Sequence, residues 1–140
     1  MYPRRWGRWT LLVLVLITAS GCGPHKEAPK YIFGVASVDS LLVEVADDQG
    51  VRVSIVIKGT LRDGCTEIEA VKQAVEDRVI TLTVATRRPL DAVCEPGEVP
   101  FTQIVPLSSL RTLRTGDYTL VAGDATTLLR FERGGVAPHI

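Results

Sequence analysis

Val51-Arg52-Val53-Ser54-Ile55-Val56-Ile57-Lys58 puts an apolar side chain at every second position, with Arg52, Ser54 and Lys58 between them. Successive side chains of a strand point to opposite faces, so this two-residue repeat reads as a half-buried strand rather than a helix of period 3.6. Upstream, Leu41, Val43 and Val45 alternate in the same way and end at the turn-forming run Asp47-Asp48-Gln49-Gly50. Downstream, Ile80, Leu82 and Val84 alternate with Thr81, Thr83 and Ala85. Residues 101–107 read as extended, Tyr118, Leu120 and Ala122 alternate again, and residues 128–133 supply a last strand. Turn signals recur at Gly59, Asp63-Gly64, Pro96-Gly97, Gly116-Asp117 and Gly123-Asp124. About seven short strands separated by such signals predict an all-β fold, a single antiparallel β-sandwich over residues 37–134. Residues 135–140 are expected to form a C-terminal tail.

Between Thr66 and Val75 two readings compete. Ile68, Val71 and Val75 have helical spacing, yet all three are β-branched. The all-β surroundings favour a strand.

The 140 residues suffice for one domain, and 46% hydrophobic with 23% charged residues is a globular composition. The net charge of zero hides an asymmetry. Arg4, Arg5 and Arg8 precede residue 22 with no acidic residue, which leaves 13 of the 16 basic residues against all 16 acidic ones, a balance of −3. A mildly acidic domain lacks the clustered Lys and Arg that neutralise phosphates, so no nucleic-acid partner is expected.

The first 21 residues read as an export signal. The three arginines form a positive start, and residues 11–17 are uncharged and apolar. Ala19-Ser20-Gly21 then supply small residues. The apolar run is too short for a transmembrane helix, which needs about 20 residues. Arg4-Arg5 suggests a twin-arginine signal, but Gly7 and Arg8 stand where that motif wants apolar residues, which favours the general secretory route.

Cys22, Cys65 and Cys94 make an odd count, which in an exported chain calls for an explanation of the third thiol. Attachment of lipid to Cys22 and a Cys65–Cys94 disulfide account for all three. Ala19-Ser20-Gly21-Cys22 resembles the lipobox of bacterial lipoproteins, although Ala19 stands where Leu is most common. That resemblance implies cleavage before Cys22, a diacylglyceryl thioether and an amino group acylated by a chain such as palmitate. The competing reading is ordinary signal cleavage with a free or pairing thiol at Cys22. Several acyl chains, at roughly 0.8 kcal/mol per buried methylene, anchor stably where one chain does not. Gly23 in place of Asp resembles lipoproteins sent to the outer membrane, on its periplasmic side, if the cell is Gram-negative. Residues 22–36, with Pro24, Pro29 and several charges, are expected to form a lipidated tether.

Cys65 and Cys94 lie 29 positions apart, and closing such a loop is worth roughly 3–4 kcal/mol on the chain-entropy model. No CxxC is present, and His25 and His139 stand in the tails, so a redox or metal role for the pair lacks support. Three stretches, residues 59–68, residues 88–94, and residues 99–110 with 116–120, together resemble a recurring secreted domain, the two-cysteine immunoglobulin-like lipoprotein domain. The likeness covers roughly residues 38–133. It implies a sandwich in which Tyr118, following Gly116, hydrogen-bonds back across a corner. It implies no activity. The core Trp of true immunoglobulin domains is missing, since Trp6 and Trp9 lie in the signal.

No catalytic constellation is legible. Neither histidine falls within the sandwich to serve as a base. Asp47-Asp48 reads as a solvated turn and Glu67 with Glu69 as a wet strand face. A calcium site of Asp47, Asp48 and Asp63 matches no loop spacing. No phosphate-binding glycine loop occurs, and no cofactor or metal is expected. Residues 87–100, with three prolines and a pinned cysteine, are the candidate binding loop, presenting Arg87, Arg88, Asp91 and Glu95. The expected function is a non-enzymatic binding or accessory module in the cell envelope, meeting the bilayer through Cys22 and another envelope protein through the sandwich surface or the 87–100 loop. The alternative is an inhibitor of a hydrolase, a protease or lysozyme, acting through that loop.

Overall fold

The computed structural model describes residues 23, 27–46, 52–108, 111–132 and 135–138. The export signal, Cys22, His25, His139 and the Asp47-Asp48 turn lie outside the described residues. Nine strands form among the described residues: β1 Tyr31–Val35, β2 Ser37–Ala46, β3 Arg52–Asp63, β4 Glu67–Glu76, β5 Val79–Pro89, β6 Pro96–Pro106, β7 Gly116–Ala122, β8 Ala125–Glu132 and β9 Gly135–Pro138. Alternation produces the central strands as expected: Val53, Ile55 and Ile57 of β3 are buried and face Ile80, Leu82 and Val84 of β5, with Leu120 of β7 and Leu129 of β8. Each such side chain removed from water contributes roughly 1.5–3 kcal/mol.

Two sheets make the sandwich. One is three-stranded, in the order β2-β3-β6. In the other, β5 pairs with β4 along one edge, while β1 and β7 share its second edge end to end. β8 and β9 follow β7. The β4–β5 hairpin crosses to the second sheet before β6 returns to pair with β3, the Greek-key connection of immunoglobulin-like sandwiches. The β5–β7 pairing is parallel, the one departure from the antiparallel expectation among the described strands.

Several boundaries differ from expectation. Residues 31–35, assigned to the tether, form β1 because the upper half of β5 has an edge that β7 does not reach; residue pairs run from Tyr31↔Pro89 to Val35↔Ala85. Residues 135–138, assigned to the tail, form β9 on the edge of β8. Vacant sheet edges are a property of the assembled fold, and local composition does not report them. Gly59 is not a turn. It is buried within β3, and a Cβ there would collide with the Ser37 carbonyl oxygen as well as touch the Phe101 ring. A glycine inside a strand often marks such close approach of another backbone.

The ambiguous stretch is strand β4. A bulge between Ile68 and Ala70 adds one residue to the alternation, so Ile68 and Val71 stand three apart and mimic helical spacing.

Candidate binding rim at the disulfide end

The chain reverses twice at one end of the sandwich, once between β3 and β4 and once between β5 and β6. Asp63 ends β3 and organises the first reversal. Its Oδ1 accepts hydrogen bonds from the Cys65 N–H at 3.1 Å and from the Thr66 hydroxyl at 2.8 Å. Its carbonyl accepts from the Thr66 N–H at 3.3 Å. This is an Asx-turn, the local geometry that Asp favours before Gly. The bond from Thr66 holds the Asp63 carboxyl below its ordinary pKa against the opposing effect of burial, helped by the Cys65 N–H and by Arg88. Arg88 Nε lies 2.8 Å from Asp63 Oδ2, an ion pair rather than an aligned hydrogen bond.

The disulfide forms as expected, joining Cys65 to Cys94 with Cα atoms 5.6 Å apart. It ties the two reversals to each other, and each of them links one sheet to the other, so it braces the rim and leaves the interior to aliphatic side chains. Arg88 reaches across the same joint, with Nη2 3.3 Å from Cys94 Sγ. One carboxylate, one guanidinium and one covalent bond therefore fix both loops.

The candidate loop is shorter than the sequence suggested. Arg87, Arg88 and Pro89 belong to β5, and Pro96 to Pro100 belong to β6. The three prolines of β6 are tolerated because, among the described strands, it is an edge strand paired only with β3. Residues 90–95 remain as loop. Of the four residues nominated for binding, Asp91 and Glu95 lie on it, both exposed. Arg87 stands on the outer face of β5, 3.4 Å from Glu67 and stacked over the Tyr31 ring at 5.1 Å. Arg88 is a brace, consumed by Asp63. The outward apolar residues Leu90 and Val93 were not nominated, yet Val93 is fully exposed. The chain leading into β1 meets the loop directly, since the Leu90 N–H donates to the Lys30 carbonyl at 2.8 Å.

Beside the rim a half-open cleft of about 340 Å³ runs between β1 and the end of β3, with Ile32, Leu61, Thr66, Thr86 and Arg88 among its walls. Of its charged walls Arg62, Arg88 and Glu98, Arg88 is already paired with Asp63. The calcium arrangement considered from sequence has its one described member, Asp63, committed to this pair.

Elsewhere the outer face of the three-stranded sheet carries an apolar row across its strands. Leu42 pairs with Val56, which pairs with Ile104. Val56 is buried between neighbours that are 57% and 59% exposed. At the opposite end, Tyr118 makes the expected corner bond, accepting from the Arg114 N–H at 2.9 Å. Arg78 covers its ring at 5.3 Å and donates to the Thr115 carbonyl at 3.3 Å. Gly116, with φ of 140°, leaves the space that the Arg78 guanidinium fills.

A family model described as the ORF11 β-sandwich domain matches residues 55–131. That span runs from β3 into β8 and contains Asp63, both disulfide cysteines, Arg88 and Tyr118. An uncharacterised 10.2 kDa protein in the HgiCIIM 5′ region of Herpetosiphon aurantiacus is 32% identical over 93 residues, 66% of this chain and 97% of that protein. A second from the same organism, in the HgiBIM 5′ region, is 35% identical over 79 residues, 56% of this chain and 94% of its own length. No solved structure matches.

Proposed function

The chain belongs to the ORF11 β-sandwich domain family, and from that premise we propose that it is a non-enzymatic binding or accessory module of the cell envelope, exported and held to a membrane by an acylated Cys22. In a Gram-negative cell the anchor lies in the outer membrane on its periplasmic side. The observation that carries the binding role is the apolar row Leu42–Val56–Ile104 on the outer face of the three-stranded sheet, whose two flanking members Leu42 and Ile104 are exposed. Outward positions of a solvated sheet are ordinarily polar, and a contiguous apolar patch marks a contact surface. Another envelope protein is the partner this face suits. Two charged groups of the braced rim, Asp63 and Arg88, hold one another.

Mass spectrometry of the membrane-extracted protein tests the anchor: a diacylated or triacylated Cys22 is expected, and an intact N-terminus or bare thiol refutes it. Crosslinking in intact envelopes tests the partner. Capture of one defined protein, lost in the double substitution Leu42→Glu, Ile104→Glu, is expected. Capture unaffected by that change refutes the role of this face. Reversal of Arg88 is a poor probe, because it breaks the pair with Asp63.

A second reading rests on Val93, fully exposed and next to a disulfide cysteine. A rigid loop of this kind could enter a hydrolase cleft. Inhibition of a protease or lysozyme by the purified protein, abolished by Val93→Asp, would replace the first reading.

A further inference from the structure

We propose that the disulfide rim is the membrane-facing end of the domain, and that Leu90 and Val93 insert at the boundary between headgroups and acyl chains. The inference rests on the acylated Cys22 of the preceding reading and adds an orientation to it. Eight residues, 23–30, separate Cys22 from β1. At no more than about 3.6 Å per residue they reach about 29 Å when straight, and on the order of 16 Å on average as a flexible chain. The Lys30 carbonyl is bonded to the Leu90 N–H, so the tether arrives at the loop itself. The eleven residues of β5 run from the loop to the far hairpin, roughly 36 Å at about 3.3 Å each. Anchoring at Cys22 therefore keeps the rim near the bilayer and holds the opposite end away from it.

The rim's surface fits that position. Val93 is fully exposed and Leu90 nearly half exposed, and Phe33, two residues inside β1, is 64% exposed. Side chains of this kind leave water when a lipid interface is within reach. The loop needs no ordering on insertion, because the disulfide, Asp63 and Arg88 already hold it. Its charges are mixed: Lys30, Arg62 and Arg87 stand against Glu67, Asp91, Glu95 and Glu98. Apolar insertion, and not attraction to anionic lipid, is the driving force, so docking should change little with salt.

The test uses the full acylated chain in phosphatidylcholine vesicles. The two native tryptophans, Trp6 and Trp9, precede Cys22 and leave with the signal, so Val93→Trp is a single reporter. Leu128→Trp places the same reporter on an exposed position of β8 paired with Thr119, toward the far end. With lipids brominated near the headgroup, Val93→Trp is expected to shift to the blue and lose most of its emission, while Leu128→Trp keeps its emission. To separate the native loop from the affinity of Trp for interfaces, Leu90→Trp is compared with and without Val93→Asp. Quenching should fall when the aspartate is present. An acylated chain whose two reporters are quenched equally or not at all overturns the docking and leaves the anchor standing. So does a blue shift of Val93→Trp that is insensitive to bromine, which would mean a protein contact. An unmodified Cys22 overturns the anchor, and the docking with it.

Discussion

The two ends of the sandwich are closed by different means. At one end a covalent bond, a buried carboxylate and a guanidinium hold the reversals at residues 64–66 and 90–95. At the other, Tyr118, Leu107 and Leu113 are buried, and the tyrosine hydroxyl takes the Arg114 N–H beneath the Arg78 guanidinium. An end held by burial must turn its apolar side chains inward. An end held by a crosslink is released from that requirement, which is why Leu90 and Val93 can stand in solvent without loosening the loop. The braced end is thus free to bind, whereas the packed end is occupied with stability.

Removing the crosslink should break this contrast most severely. Replacing Cys65 and Cys94 together with serine is expected to lower unfolding stability by roughly 3–4 kcal/mol, read as a lower urea midpoint and melting temperature. A loss under about 1 kcal/mol would mean that Asp63 and Arg88 hold the rim by themselves. At the other end Tyr118→Phe, which removes only the hydroxyl bonded to Arg114, should cost about 1 kcal/mol. Because the two ends are separated by the length of β5, the effect of Tyr118→Phe should add to that of the serine pair, and a clear departure from additivity in the four-variant cycle would show them coupled.

Acid sharpens the comparison further. The Asp63 carboxyl has its pKa lowered by folding, chiefly by the Thr66 hydroxyl. Such a group adds stability that is complete above the unfolded pKa of about 3.9 and disappears as pH falls through the folded value. Denaturant midpoints measured from pH 6 to 2, values chosen to bracket about 3.9, should therefore fall on the acid side, and Asp63→Asn should flatten that part of the profile. An unchanged slope in the asparagine variant would remove Asp63 from the account. The smallest effect is expected at Val93, where Val93→Ser should alter stability by no more than about 0.5 kcal/mol. A larger loss would mean that the side chain supports the loop instead of being presented by it.

Much of this architecture was legible without coordinates. Alternation at residues 51–58, 80–85 and 118–122 specifies strands with one buried face, and such strands close on a second sheet because each has an apolar face to hide. The pairing of Cys65 with Cys94 followed from cysteine arithmetic, and the corner bond of Tyr118 from the resemblance to immunoglobulin-like domains. β4 was harder, because a bulge at Ile68 disguised its period. The candidate loop was not legible in extent. Pro96 and Pro100 resemble loop punctuation until β6 is known to be an edge strand, and Arg88 resembles a surface cation until Asp63 is found beside it.

What the order of residues determined alone is everything local: which faces are apolar, where Asp63-Gly64 turns, and how many thiols need partners. Tertiary structure decided what depends on who stands next to whom. It placed β1 on the vacant half of β5 and β9 on β8, buried Gly59 under the Ser37 carbonyl, and turned Arg88 from ligand candidate to brace. The physical reason is that an edge, a close approach or an ion pair belongs to two distant segments together, and neither segment carries a mark of the other.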